Sequence, residues 1–194
     1  TTTMTGNITT TGNIAHGIQL DSSDSNIVNM TGDITTSGRN ALGIRLDTSD
    51  SNTIAMTGDI STSGFQSYGV YILTSNDNTT SITGNVATTG EDADALKISG
   101  GDRNILNVVG DISATNGGGF YIDISDENTI NVTGNTTVGG SSDSAFDINQ
   151  SNSNTLSITG DIITSAGTSH GFEVSGDSNN ITITGDINTA GSNA

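Results

Sequence analysis

The residues best suited to chemistry in this chain are carboxylates that recur in step. Asp24, Asp50, Asp102, Asp126 and Asp177 occupy one position of a repeating phrase, and Asn76 and Asn152 fill the two gaps. Each stands two residues before an asparagine, in the pattern Asp-x-Asn. On stacked turns such pairs offer hard oxygen ligands of the kind Ca2+ takes. The same residues are ordinary turn formers, because an Asx side chain bonds nearby backbone. The EF-hand pattern and the Gly-rich nonapeptide of calcium-loaded β-rolls are both absent. Ca2+ is the one cofactor the pattern raises, and none other is expected.

Two further polar columns accompany the first. Asn7, Asp33, Asp59, Asn85, Asp111, Asn135, Asp161 and Asp186 follow a recurring Gly, and Asp33 and Asp59 would lie on adjacent turns. Such a pair repels unless solvent screens it or a cation bridges it, and it is also the acid–base pair of a glycosidase in its simplest form. The other column is Asn26, Asn52, Asn78, Asn104, Asn128, Asn154 and Asn179, unbroken. Stacked amides of this kind can hydrogen-bond from turn to turn. This column reads as a structural ladder. His16 and His170 share a column but lie six repeats apart, about 29 Å at strand spacing, too far for one site. They read as surface histidines. Tyr68, Tyr71, Tyr121 and Phe65 are the aromatics able to face solvent, either as a sugar platform or as a lateral contact patch.

The element that must position all of these is a repeat. Gly6, Gly32, Gly58, Gly84, Gly110, Gly134, Gly160 and Gly185 are spaced by 26, 26, 26, 26, 24, 26 and 25 residues. A period this regular marks a solenoid. Within one period the apolar residues alternate, as in Ile54, Met56 and Ile60, then Val70 and Ile72. Period two means strands with one face buried. The predicted fold is therefore all-β: a parallel β-helix (β-solenoid), right-handed by the general crossover preference, with about 26 residues per coil, seven full coils and a partial eighth. Residues 1–194 form a single domain. The Gly column requires either unusual backbone angles or a close approach of neighbouring chain. The run Gly117-Gly118-Gly119 coincides with the 24-residue coil and reads as a tightened turn.

Composition limits the partners. The formal net charge is −17, with only four Lys and Arg. Nucleic acid and anionic membrane surfaces are excluded, since both need clustered cations. No apolar run reaches the roughly 18 residues of a membrane span. There are no cysteines, so neither disulfides nor thiolate metal sites arise. The chain opens and closes in mid-repeat without a signal peptide and reads as a mature piece or fragment of something longer.

The phrase "TGDITTSGRNALGIRL" (Thr31 to Leu46), followed by "SDSNTIAMTGDISTSG", resembles repeats in the passenger regions of bacterial autotransporter-type adhesins and related giant surface proteins. The resemblance spans the chain. It implies export, a right-handed β-helix and a role at the cell surface, and it implies no catalytic residues. A structural or adhesive rod is expected, or a fibre subunit that self-associates through uncapped ends. Carbohydrate adhesion, with surface glycans as partners, is the alternative. Ice binding would need a regular two-column Thr face, and the ladder Thr5, Thr31, Thr57, Thr83, Thr133, Thr159, Thr184 is broken at Val109 and has mixed partners. A polysaccharide-active enzyme would need a cleft walled by inserted loops, and no coil carries an insertion. No catalytic residue is predicted.

Overall fold

In the computed structural model, which describes residues 1–140, 143–165 and 167–190, each coil contributes one strand to each of three parallel sheets. The coil that starts at Thr53 is representative. Its strands are Thr53–Thr57, Ile60–Thr62 and Val70–Leu73. The first and second sheets have eight strands and the third has seven. Neighbouring strands are one repeat apart, so Thr53 pairs with Thr79 and Ile60 with Val86. The chain is thus an all-β parallel β-solenoid of about seven turns.

The period-two pattern becomes alternating burial. In Thr53–Thr57 the residues Ile54 and Met56 are buried, and Thr53, Ala55 and Thr57 are exposed. The predicted apolar columns all point inward and form one continuous core from Ile18 to Ile162. Each fully buried aliphatic side chain contributes about 1.5–3 kcal/mol. Phe120, Phe146 and Phe172 stack through that core, with ring centroids 6.2 and 4.8 Å apart. At both ends the columns are covered on one side only, so Met4 is 38% and Ile187 49% exposed.

The Gly column has both of the expected causes. Its φ angles run from +127° at Gly6 to +154° at Gly110, a region reserved for glycine. A Cβ at Gly32, Gly58, Gly134, Gly160 or Gly185 would also lie 2.1–2.3 Å from the carbonyl oxygen of the same Gly one coil earlier.

Within the predicted apolar columns two inward positions are polar. Thr80 and Thr136 bury hydroxyls that have no hydrogen-bond partner among the described residues. Thr80→Val and Thr136→Val keep the shape and remove an unpaired polar group. Each is expected to raise stability by about 1 kcal/mol. That is a rise in melting temperature of about 2–4 °C for a chain this long, read by calorimetry. A fall in both variants would mean that the hydroxyls do find partners.

Candidate functional site

The predicted ligand columns each use one side-chain oxygen to join a coil to the next. Asp24 Oδ1 accepts the backbone N–H of Asp50 at 2.8 Å, and Asp50 Oδ1 accepts that of Asn76 at 2.7 Å. The series continues through Asn76, Asp102, Asp126 and Asn152 and ends on the N–H of Asp177. The column after the glycines behaves alike. Asp33 Oδ1 accepts the Asp59 N–H at 3.0 Å, and Asp161 Oδ1 that of Asp186 at 3.0 Å. One carboxylate oxygen of each adjacent pair is therefore tied to an amide, which offsets part of the repulsion. Among the described residues no group of three or more His, Cys, Asp or Glu is arranged to hold a metal ion. This explains why Thr-Gly-Asp/Asn recurs: Gly makes the corner and Asx supplies an acceptor to the next coil.

The Asn column forms the predicted ladder with the opposite polarity. Here the side-chain oxygen accepts from the coil before it: the Asn52 N–H donates to Asn78 Oδ1 at 2.8 Å, and the Asn78 N–H to Asn104 Oδ1 at 3.0 Å. Asn26 opens the ladder, and Asn128, Asn154 and Asn179 complete it. From Asn78 to Asn179 the side-chain Nδ2 also donates to a carbonyl at the end of the preceding coil's third sheet, as in Asn78 to Ser49 O at 2.8 Å. A column the sequence reading missed lies three residues before it. Ser49, Ser75, Ser125 and Ser151 are buried, and each hydroxyl accepts a backbone N–H from the previous coil. Ser is so common in this chain that its recurrence there did not stand out.

These ladders leave the outer face of the third sheet as the chemically distinct surface. The outward strand columns of the first two sheets repeat Thr, Ser, Asn and Ala with occasional aliphatics, and the turns add Arg39 over Phe65 and an Arg103–Asp77 ion pair. On this face one column reads Gln19, Arg45, Tyr71, Lys97, Tyr121, Asp147 and Glu173, and the one beside it begins with His16 and includes Tyr68, Asp94 and Gly118. Lys97 Nζ lies 4.9, 5.8 and 4.6 Å from the ring centroids of Tyr68, Tyr71 and Tyr121, and 3.9 Å from Asp94 Oδ2. Cation–π contacts of this kind contribute about 0.5–2 kcal/mol each. His16 is more than a solvent-facing histidine: its Nδ1 accepts the Leu42 N–H at 3.1 Å, which fixes the proton on Nε2. Burial, helped by the charge of Arg45, holds its pKa below the ordinary value. His170 lies at the far end of the same column and shares no site with it.

The short coil shapes this face. Between the second and third sheets it spans Asn116 to Phe120, against Glu91 to Leu96 one coil earlier. Gly118 then stands where its neighbours carry Asp94 and Ser144, and its N–H donates to Asp94 Oδ1 at 2.9 Å. The missing bulk leaves a notch of about 280 Å³, bordered by Tyr68, Lys97, Tyr121, Asp94, Asp143 and Asp147. A second depression of about 390 Å³ runs on towards His16 and Arg45, and the two share Gln66 and Tyr68. A groove therefore arises by deletion, whereas the sequence reading looked for one made by insertion.

Electrostatics in the notch are unusual. Burial raises Asp94 to about 6 from 3.8, against the opposing pull of the Gly118 N–H and Lys97. Asp147 is also raised to about 6, by burial and by the charge of Glu173. The Tyr68 hydroxyl is pushed up to about 12 by burial and then by Asp94. For Asp94 the folded pKa lies above the unfolded one, so the folded state binds more protons between about pH 4 and pH 6. Stability from this group is fully present at low pH and falls as pH rises through that window. The loss is on the order of 2–3 kcal/mol, and Asp147 acts in the same direction. Asp94→Asn keeps an oxygen for the Gly118 N–H. It is expected to be more stable than the parent at pH 7 and to flatten the pH dependence, as read by urea denaturation across the window.

No family model, no curated protein and no solved structure matches the chain.

Proposed function

We propose that the protein is an extracellular structural or adhesive rod, displayed at a cell surface or assembled end to end into a fibre, with no catalytic role. The observation that carries this reading is the allocation of side chains. Three Asx ladders and a Ser ladder run along the axis, and their polar atoms are used to join one coil to the next. That makes a stiff, uniform rod whose stability grows with each added coil. Met4 and Ile187, in columns buried at mid-rod, would gain apolar contact from a further coil in the same register. The resemblance to surface-protein repeats supports the same role.

Electron microscopy and sedimentation over a range of concentrations test the assembly. Rods that lengthen with concentration are expected, and protein that stays monomeric at high concentration removes the fibre reading. Adding Ca2+ and then a chelator tests the acidic columns. An unchanged melting temperature is expected if Asp24, Asp50, Asp102, Asp126 and Asp177 act as acceptors for backbone amides. A loss of several degrees on chelation would assign them to Ca2+.

The groove of the third sheet favours a second, compatible reading: adhesion to carbohydrate. Tyrosine rings beside amides and carboxylates in a polar depression are what sugar recognition requires, an apolar face with hydrogen-bonding edges.

A further inference from the structure

We infer that the groove on the third sheet binds a linear oligosaccharide bearing free amino groups, lying along the rod axis. The inference rests on the adhesive reading of this face and names the ligand's chemistry.

Three observations lead to it. The first is shape. The two depressions share Gln66 and Tyr68 in their walls, so they lie end to end along the axis from the coil of His16 to the coil of Glu173. The groove advances by about 4.8 Å per coil, comparable to one pyranose unit in an extended chain. A linear polymer can therefore meet one coil with each residue. The backbone along the groove is paired coil to coil, so no free strand edge invites an extended peptide.

The second is charge. Around the notch stand Asp92, Asp94, Asp143, Asp147 and Glu173, with Lys97 as the only cation among the described residues that line it. Asp147 makes no ion pair among the described residues, and Glu173 receives only a long hydrogen bond, 3.4 Å, from Ser144. Asp94, Asp143 and Asp147 are half-buried, Asp92 and Glu173 exposed, and their crowding is a cost that a ligand ammonium would relieve. An acidic or sulfated sugar would be repelled, and a neutral one would leave the charges uncompensated.

The third is the internal precedent of Lys97. Its ammonium already sits against Tyr68 and Tyr121 with a carboxylate beside it. One coil further along, Asp147 is in register with Tyr121 and Asp143 lines the same notch, and neither carboxylate has an ion pair among the described residues. A protonated sugar amine fits there, with the pyranose ring against Tyr121.

Calorimetric titration with β-1,4-linked glucosamine oligomers, and with their fully N-acetylated counterparts, tests this on the parent protein and on Tyr121→Ala and Asp147→Asn. Circular dichroism and melting confirm that the variants remain folded. The amine oligomer is expected to bind at least about tenfold more tightly than the acetylated one, the scale of one charge-assisted contact. Each variant is expected to lose most of that preference or affinity. Equal binding of both oligomers would overturn amine recognition and leave the adhesive reading standing. No binding of either would overturn both. Oligolysine binding as tightly as the amino sugar, with Tyr121→Ala without effect, would reduce the groove to an unspecific acidic surface and overturn the inference.

Discussion

Gly84→Ala is expected to prevent the solenoid from closing at its fourth coil, at a cost above about 4 kcal/mol. Two penalties coincide at this residue. Its φ is +150°, where an L side chain is strained by about 1–3 kcal/mol. A Cβ there would also lie 2.1 Å from the Gly58 carbonyl oxygen and 2.6 Å from its carbon. Both are backbone atoms of the neighbouring coil, held by the ladder that joins Thr79–Thr83 to Thr53–Thr57. Relief would require two coils to part, and with them the hydrogen bond from the Asn85 N–H to Asp59 Oδ1. Two other glycines separate the causes. Gly6 has the same kind of backbone, φ +127°, but a Cβ there meets nothing within 4 Å, so Gly6→Ala should cost the conformational strain alone. A Cβ at Gly69 would lie 2.5 Å from Ala95 O and from Val86 Cγ1. Its column nevertheless carries alanine at Ala95 and Ala145, so the fold accommodates a methyl group there, and Gly69→Ala should be the mildest of the three. The ranking is read by soluble yield and melting temperature. If Gly84→Ala melted no lower than Gly6→Ala, the close approach of the coils would contribute nothing.

The eightfold Gly column and the period-two apolar pattern were enough for the fold, because a solenoid writes every contact once per repeat. The Asn ladder was legible for the same reason. What the sequence did not reveal is direction. The Asn26 series accepts from the coil before it, whereas Asp24 and Asp33 accept from the coil after, and only the turn geometry decides which. Left-handed φ at Ser25, Ser51 and Asp77, one residue before successive ladder asparagines, sets that geometry.

The groove was illegible for a different reason. Repeats reveal what is constant, and the third-sheet face is built from departures: Lys97 among tyrosines, Gly118 where a neighbour has Asp94, and two residues missing between Ala114 and Phe120. Tyr71 and Tyr121 could be placed in one outward column from spacing alone. That Lys97 stands between them was equally readable from the register. The burial of Asp94 was not, because it depends on how side chains pack around it, with Lys97 Nζ 3.9 Å away, which spacing does not give. A strained or specialised site in a repeat protein is best sought in the column whose residues vary most, and here that column is Gln19 to Glu173.

Asn78→Ala is expected to lower stability by about 4 kcal/mol and the melting temperature by about 10 °C. Asn78 is fully buried. Its Oδ1 accepts from Asn52 N at 2.8 Å and Asn52 Nδ2 at 3.1 Å, and its Nδ2 donates to Ser49 O at 2.8 Å and Asn76 O at 3.0 Å. Truncation removes these bonds and leaves the Asn52 N–H and the Ser49 carbonyl buried and out of reach of bulk water. Each orphaned group costs about 1–3 kcal/mol, and that penalty exceeds the value of the bonds themselves. Asn78→Asp distinguishes hydrogen bonding from packing. It keeps the size and the acceptor but loses the donor and introduces a buried charge, so it should be as damaging as alanine at neutral pH and milder in acid. Asn26→Ala supplies the scale. Asn26 makes the same bond upward, to Asn52 Oδ1, through its backbone N–H, which alanine retains. Its side chain bonds only Ser23, Asp24 O and Asn52 Oδ1 near the exposed end. A loss of about 1 kcal/mol is expected there. Because each coil contacts only its neighbours, damage at Asn78 should be local in its first stage: faster hydrogen exchange at the Asn52 amide and new proteolytic cutting in the turns on either side. Uniform loosening of all coils, or equal costs at Asn26 and Asn78, would show that the ladder does not act coil by coil and that the rod melts as one unit.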